Sequence, residues 1–319
     1  MEKAQKMASQ TQKRLLCIYR VFDKVKKYGA FYLMMLPALI YYLLFRYLPM
    51  YGLIISFKDF NINQGILGSP WATPWHKYYT EFFTSPYFNM LISNTLIISV
   101  LKILFGTISA ILLALLLNDC RNSILKKSIQ TLTYMPHFLS WVIIFGILMA
   151  FLSESNGVIN KIIVENGGKA IPFLTSNDYF RKVLIASDVW QSTGWNAIIY
   201  LAAIGGIDPC LYEAARIDGA KRIQLTIHIT LPGIKSVIVM LLILRVGSIL
   251  DAGFDQIYNL YNIQVYQVSD IIDTWVYRIG LQQMNFSLAT AVGLFKSLIG
   301  FILIVSTNWL AKKWGESIW

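Results

Sequence analysis

The stretch LISNTLIISVLKILFGTISAILLALLL, residues 91–117, decides the fold. It is longer than the roughly 20 residues that a helix needs to cross about 30 Å of hydrocarbon. Its second half, residues 108–117, presents apolar side chains on every side of a helix, whereas the strands of a membrane barrel alternate apolar and polar residues. Because lipid cannot satisfy a free backbone amide, this stretch is predicted to be a transmembrane helix.

Five further segments share this composition. The 319-residue chain is 56% hydrophobic and 14% charged, with a mean hydropathy of +0.53, which indicates lipid rather than water as its main solvent. The sequence therefore predicts an all-α membrane protein with six transmembrane helices, at residues 31–57, 91–117, 131–152, 183–204, 235–257 and 288–311. No segment has the size of a soluble domain, so residues 28–319 are predicted to form one membrane domain.

The distribution of Lys and Arg predicts the orientation of the chain. Basic residues near helix ends are retained in the cytoplasm. Seventeen lie in residues 1–27, 118–130, 205–236 and 312–319, against seven in residues 58–90, 153–182 and 258–287. Both termini are therefore predicted to be cytoplasmic, with residues 1–27 as a basic cytoplasmic segment. The apolar run that follows is too long for the core of a signal peptide and lacks a small-residue cleavage site, so it is assigned as the first helix.

Several classes of function are excluded by the sequence. The net charge of +11 does not indicate nucleic-acid binding, because the basic residues are spread over short loops beside helices. The Cys and His residues have no metal-site spacing, so no metal site is predicted. No phosphate-binding loop and no catalytic constellation occur, so the chain is predicted to be no enzyme and to bind no cofactor itself.

The connection between the fourth and fifth predicted helices, residues 205–234, is unlike a simple turn. Asp208 followed by Pro209 is typical of a helix start, and Gly219 can end that helix by adopting a left-handed conformation. The segment Ile229-Thr-Leu-Pro232 then leads into the fifth predicted helix. A short helix with small Ala faces and one carboxylate, Glu213, suits insertion into a groove on another protein.

This connection resembles the cytoplasmic loop of the permeases of binding-protein-dependent ABC importers. That loop has Glu-Ala-Ala, three residues, Gly, nine residues and then Ile-x-Leu-Pro, and the chain matches every fixed position from Glu213 to Pro232 at the same spacing. The longer string Tyr212–Ala220 looks like the version of the carbohydrate branch, similar to the maltose-type permeases. Residues 48–59 and 291–297 resemble the group of polysaccharide or oligosaccharide permeases.

The resemblance implies a type I ABC importer permease fold in the bacterial cytoplasmic (inner) membrane. It implies that a coupling helix sits in the cleft of an ATPase, through the residues Tyr212, Glu213, Ala214, Ala215, Asp218, Gly219, Ile229, Leu231 and Pro232. It also implies a second, different permease subunit, two ATPase subunits that bind ATP and Mg, and an extracytoplasmic solute-binding protein.

Charged residues at lipid depth are the other candidates for function, since each costs roughly 2.5 to 3.5 kcal/mol on insertion scales. They are Arg46, Lys102, Asp188, Arg245, Asp251, Asp255 and Lys296. Asp188 is expected near an outer helix end, and the long stems of Arg46 and Lys102 can carry their charges toward the membrane surface.

A substrate pathway is predicted from a subset of polar and aromatic residues. Ser248, Asp251 and Asp255 are spaced to share one helical face, which fits a polar passage and fits helix packing equally well. The fourth predicted helix has a composition suited to sugar hydroxyls and ring faces, although packing also explains its aromatic residues. The candidate pathway residues are Arg46, Trp190, Asn196, Tyr200, Ser248, Asp251 and Asp255.

Two other patterns predict local structure near the C-terminus. Apolar residues between Val268 and Ile279 recur at helical spacing, which predicts a short amphipathic helix on the outer surface. Ala289, Gly293 and Ser297 lie four residues apart, which predicts a close helix contact, for which the partner permease is the candidate.

The predicted function is import of a carbohydrate, an oligosaccharide or a polysaccharide fragment, by alternating access that a separate ATPase drives. One alternative is import of another small solute, such as a phosphorylated polyol or an amino acid, by the same machinery. A second alternative is a secondary transporter driven by an ion gradient. The absence of duplicated halves and the matching cytoplasmic loop argue against the latter.

Overall fold

The computed structural model describes residues 27–313 and Gly315. In this part of the chain the backbone is helical almost throughout, and its only β-type pairing is an isolated bridge between Lys58 and Trp71. The predicted all-α class is confirmed. The predicted basic segment, residues 1–27, lies outside the described residues except for Lys27.

The chain divides into two compact units. In the first, residues 27–55 and 60–69 are described. It contains α1 (Gly29–Tyr42), which continues as a π-helical turn (Leu43–Tyr47) and a 3-10 segment (Leu48–Phe57) whose last two residues belong to the second unit, and the short α2 (Gly65–Gly68). The large apolar side chains of α1 are exposed along its whole length, which suits a helix surrounded by lipid.

The second unit, residues 56–59 and 70–319, holds the remaining helices. In chain order they are α3 (Lys77–Thr84), α4 (Phe88–Asp119), α5 (Ser123–Tyr134), α6 (Trp141–Leu152), α7 (Val158–Glu165), α8 (Asn177–Gly205), α9 (Pro209–Ile217), α10 (Arg222–Leu225), α11 (Leu231–Gly233), α12 (Lys235–Gly247), α13 (Phe254–Leu260), α14 (Tyr266–Ser269), α15 (Ile272–Tyr277) and α16 (Phe286–Lys312). Turns of 3-10 helix lie at Met135–Phe138 and Ile263–Val265, and π-helical turns lie at Thr226–Thr230 and Arg278–Gln282.

Among the described residues, up to six helical segments are long and apolar enough to cross a membrane. Three do so by themselves: Gly29–Phe57, Phe88–Asp119 and Phe286–Lys312. The other three are bent pairs: Ser123–Phe138 with Trp141–Leu152, Asn177–Gly205 with Pro209–Ile217, and Arg222–Gly233 with Lys235–Gly247. The predicted number of spans is therefore matched when each bent pair counts as one span.

Two of the predicted spans are wrong as single helices. The span predicted at 131–152 bends by 108°, because the chain passes through the 3-10 turn at Pro136 and restarts at Ser140, whose side chain caps α6. The span predicted at 235–257 stops at Gly247. Ala252 and Gly253 then have φ angles of 45° and 85°, left-handed values that cannot continue a right-handed helix.

The predicted amphipathic helix at the outer surface is also corrected. α14 ends at Ser269 and α15 begins at Ile272, so the backbone is interrupted between them. Ile272 and Trp275 are buried in the core, and Asp270 is buried in an ion pair with Arg278 at 2.6 Å. The segment is therefore a part of the packed interior.

The core of the second unit is built along α4, which packs against α8. Ala110 and Ala114 of α4 and Ala197 of α8 are fully buried together, and such small side chains let two helix backbones approach closely. Gly194 of α8 lies against the backbone of α5, where a Cβ atom would overlap the carbonyl of Thr133. These contacts fix α8 between its neighbours and so position both sites described below.

Candidate functional site

The first site is the segment that joins α8 to α12. Asp208 caps α9, since its carboxylate accepts a hydrogen bond from the Cys210 backbone N–H at 2.9 Å, and Pro209 occupies the first turn. At the other end Gly219 has a φ of 80°. Its N–H donates to the carbonyl of Arg216, and the N–H of Ala220 donates to the carbonyl of Ala215, which is the Schellman pattern. The predicted start and end of this helix are confirmed.

The return limb of this segment is fastened to α9 by one side-chain contact. The hydroxyls of Tyr212 and Thr230 lie 3.0 Å apart, and Thr230 is buried. Ile229 and Leu231 are half-buried, whereas Pro232 is exposed. A bend of 56° separates Arg222–Gly233 from α12. The motif residues at both ends of the loop thus belong to one local structure.

The outward surface of α9 carries groups that have no partner in the described chain. Glu213 and Asp218 are exposed, and Glu213 makes no ion pair with any described residue. Ile217 is 87% exposed and Leu211 is 53% exposed, although both are apolar. An exposed combination of apolar side chains and carboxylates is typical of a surface that another protein covers.

Two clefts flank this helix and contain most of the predicted coupling residues. Tyr212 and Glu213 line a cavity of about 460 Å³, together with Arg216 and Arg222. A second cavity of about 290 Å³ lies on the other side, lined by Ala215, Asp218, Gly219 and Ile229 among others. The structure therefore brings these residues together, and their coupling role stays a prediction.

The second site is the break that follows α12, residues 248–253. The ammonium group of Lys102, on α4, donates to the carbonyl of Ala252 at 2.8 Å and to the amide oxygen of Gln256, and it lies 3.4 Å from the carboxylate of Asp188. Gln256 in turn donates to the carbonyl of Leu184 at 2.7 Å. A buried network therefore ties the break to both α4 and α8.

A second lysine holds the same break from α16. The ammonium group of Lys296 lies 2.6 Å from the carboxylate of Asp251 and 2.7 Å from that of Asp273 on α15. These residues line a cavity of about 430 Å³ that also contains Ser248. Gly300 of α16 passes close to α12, where a Cβ atom would lie 2.9 Å from the carbonyl oxygen of Gly247. Of the three residues predicted to form a close helix contact, Ala289 lies against Gly280, where an added Cβ would be 2.7 Å away, whereas Gly293 has open space beside it.

The predicted polar stripe on the fifth span is wrong. Because α12 ends at Gly247, Ser248 lies beyond the helix, Asp251 lies in the turn and Asp255 lies in the first turn of α13, all three exposed. Ser248 and Asp251 still line a common cavity, which Asp255 does not reach.

The expectations for Lys102 and Asp188 are corrected as well. Lys102 is buried and its charge does not extend to the membrane surface, because its ammonium group is held by Ala252, Gln256 and Asp188. Asp188 lies within α8 rather than near its end, and the pairing with Lys102 explains its presence there.

The remaining pathway residues of the second unit do not line the two cavities at this break. Trp190 is exposed and lines an apolar cavity of about 410 Å³ with Phe173 and Tyr179, Asn196 is half-buried, and Tyr200 is buried in the core near Ala197. Arg46 lies exposed in the π-helical turn of the first unit. Sequence reasoning missed Gln256 and Asp273, which complete the buried networks.

Comparison with known proteins decides the family. Residues 102–316 match the family described as the binding-protein-dependent transport system inner membrane component. The chain belongs to this family. It is thus a multi-pass inner membrane component of a binding-protein-dependent transport system, which confirms the predicted class and localisation.

Two relatives of this inner membrane component are similar over most of the chain, and one of them has a polysaccharide-related description. The polygalacturonan/rhamnogalacturonan transport system permease protein YteP of Bacillus subtilis is 48% identical over 297 residues, which cover 93% of this chain and 92% of the relative. Protein LplB of the same organism is 45% identical over 285 residues, 89% of each chain.

Solved structures show the same fold. A chain of a bacterial ABC transporter involved in the import of the acidic polysaccharide alginate superposes with a TM-score of 0.85 at 38% identity, covering 92% of this chain and 99% of the other. A second structure, of a bacterial alginate ABC transporter in complex with an alginate pentasaccharide-bound periplasmic protein, gives a TM-score of 0.84 at 37% identity, with coverages of 93% and 99%. The inner membrane component therefore has the type I ABC importer permease fold.

Proposed function

We propose that this chain is the permease subunit of an ATP-driven importer that carries an oligosaccharide or a polysaccharide fragment by alternating access. The observation that carries the proposal is the capped helix α9, which presents Glu213, Leu211 and Ile217 outward with no partner in the described chain. The family and its polysaccharide-transporting relatives support the choice of cargo.

The proposed partners supply the ATP hydrolysis for which no phosphate-binding loop was found in the sequence, and one of them covers the exposed surface of α9. ATP and Mg bind to two separate ATPase subunits, and each core contains this chain and a second, different permease. An extracytoplasmic solute-binding protein delivers the cargo, in line with the periplasmic protein of the structural neighbour. Both termini and the segment from Tyr212 to Pro232 face the cytoplasm, where the ATPase is.

The loop between α8 and α12 is connected through these two helices to the break after α12. α8 leads directly into α9, and the return limb leads directly into α12. α8 supplies Asp188, which pairs with Lys102, and α12 leads into the turn that Lys102 and Lys296 hold. When ATP binding draws the coupling helices of the two permeases together, the displacement of α9 therefore reaches the middle of the membrane through two helices.

The substitution Glu213→Lys tests the coupling role. It reverses one exposed charge on α9 without touching the core, so we expect loss of sugar uptake and loss of the co-purifying ATPase, with membrane insertion unchanged. The matched control is Glu154→Lys, an exposed carboxylate in the connection between α6 and α7. Uptake at the wild-type rate by Glu213→Lys would contradict the proposal.

A further inference from the structure

A small polar cavity lies at the break after α12. Its volume is about 210 Å³, and the polar and charged side chains around it are Ser99, Lys102, Asp188, Arg245, Ser248 and Asp251. Arg245 lies ten residues beyond Lys235 in α12, which places it about 15 Å along the helix, half of the roughly 30 Å of hydrocarbon. Counted from residue 235, the predicted start of the fifth span, the cavity is therefore about halfway through the hydrocarbon.

Arg245 is the unpaired cation of this region. Lys102 is paired with Asp188, and Lys296 is paired with both Asp251 and Asp273. The guanidinium of Arg245 makes no ion pair and no hydrogen bond with any residue between 27 and 313. An ionised side chain at lipid depth is costly and usually marks a pathway or a partner.

A second donor on the same cavity also lacks a partner. Ser99 is only 4% exposed, and its hydroxyl makes no hydrogen bond in the described structure. Buried polar groups are nearly always hydrogen-bonded, so an unpartnered hydroxyl and an unpartnered guanidinium around one cavity point to a ligand that accepts hydrogen bonds. The nearby carboxylates compete little for Arg245, because lysines already neutralise them.

We propose that Arg245 binds the carboxylate of an acidic sugar residue, such as a uronate, as it passes the centre of the membrane, and so selects anionic oligosaccharides. A guanidinium offers two parallel N–H donors that match the two oxygens of a carboxylate. The proposal rests on the proposed function, since it names the cargo class of that importer.

The space available agrees with this assignment. A cavity of about 210 Å³ holds several water molecules, and this space suits the carboxylate-bearing edge of one sugar. The adjoining cavity of about 430 Å³ shares Ser248 and Asp251 with it and offers room for the rest of the ring. The carboxylate of Asp251 in this cavity can accept hydrogen bonds from sugar hydroxyls.

The test compares an acidic cargo with its neutral ester. The complete transporter, in proteoliposomes with its solute-binding protein, is assayed for initial uptake of trigalacturonate and of the trigalacturonate methyl ester. We expect Arg245→Gln to lower uptake of the acid about tenfold or more, and to leave uptake of the ester within about twofold of the wild type. Arg245→Lys keeps the positive charge but lacks the two parallel N–H donors, so uptake of the acid should fall less than in Arg245→Gln.

The control variant is Lys169→Gln, which removes an exposed cation outside the spans and should change neither rate. Dividing each variant rate by the wild-type rate for the same cargo cancels the preference of the solute-binding protein. An equal loss for both cargos would overturn the proposal, because it would assign Arg245 to folding or gating. Unchanged uptake of the acid would overturn it too.

Two further outcomes are also decisive. If the wild type carries the acid alone, equilibrium binding of trigalacturonate to the detergent-solubilised complex replaces the ester: weaker binding by Arg245→Gln supports the proposal, and unchanged binding overturns it. A wild type that imports a neutral sugar and neither test cargo overturns the anionic selectivity alone. A wild type that imports no sugar at all contradicts the proposed function.

Discussion

Lys102 is the residue on which the broken span depends most. Its ammonium group satisfies the carbonyl of Ala252, which a continuous helix would have paired within its own backbone. It also compensates the charge of Asp188 and donates to the amide oxygen of Gln256. The amide nitrogen of Gln256 donates to the carbonyl of Leu184, which fixes the orientation of that side chain. One side chain thus supports the turn, an acid and an amide in the same buried region.

Lys102→Met should destabilise the chain strongly. Removing one partner of a buried ion pair costs about 3 to 5 kcal/mol, because the other charge is left uncompensated. We expect a lower midpoint of thermal unfolding in detergent, with Lys169→Met as the control without effect. Adding Asp188→Asn to Lys102→Met should restore part of the loss, and strictly additive effects of the two changes would contradict the assigned pair.

The sequence identified Lys102, Asp188 and Lys296 as charges at lipid depth, but it could not identify what they contact. Lys102 and Gln256 are 154 positions apart, and Lys296 pairs with Asp273 across two helices. Spacing along the chain reports only which residues share a face of one helix. Contacts between distant helices depend on packing, which one sequence does not reveal.

Among the helices, α9 is the one whose limits were predictable. Its start depends on Asp208 and Pro209 and its end on Gly219, and all three signals act on the adjacent backbone. The break after α12 has a weaker signature, because Gly253 suits its left-handed φ of 85° but Ala252 adopts a left-handed φ that alanine disfavours. That conformation is held by the distant Lys102, so local propensity predicts a continued helix and is wrong.

Gly219→Ala should weaken the coupling between α9 and the ATPase, and it should lower the stability of the protein only modestly. A side chain at a left-handed φ costs about 1 to 2 kcal/mol, and it would loosen the end of α9. The matched control is Gly167→Ala, since both glycines have a φ of 80° and nothing within 4 Å of an added Cβ. We expect similar losses of thermal stability from both, and loss of sugar uptake only from Gly219→Ala.

Uptake at the wild-type rate by both glycine variants would show that the end of α9 does not transmit force. A shared loss of uptake would instead assign the effect to general destabilisation. The comparison therefore separates the coupling role of this helix from its contribution to folding.

For the molecule as a whole, lipid made the number of helical segments predictable and left their paths undetermined. The need to pair every backbone amide predicts helices wherever long apolar runs occur, and six such segments are found. The bends of 108°, 70° and 56° depend on how helices pack across the whole unit. The contact between α5 and α8 at Gly194 is one example of that packing.

Gly194→Ala should separate α5 from α8. In an open helix, replacing Gly by Ala stabilises by about 0.5 to 1 kcal/mol, and Gly146→Ala in α6, with nothing within 4 Å, should show that gain. At Gly194 the new methyl group would overlap the Thr133 carbonyl, and overpacking typically costs about 1 to 3 kcal/mol. The thermal midpoints of the two variants should therefore move in opposite directions, and a parallel rise would refute the contact.

The turn after α12 also has a consequence for how the protein is made. The ribosome completes α4 and α8 before Asp251 emerges, but Lys296 is synthesised later, with the last helix. Until Lys296 is added, the carboxylate of Asp251 has no lysine to pair with in the nascent chain. A truncated translation product that ends before α16 therefore leaves the carboxylate of Asp251 without the lysine that neutralises it.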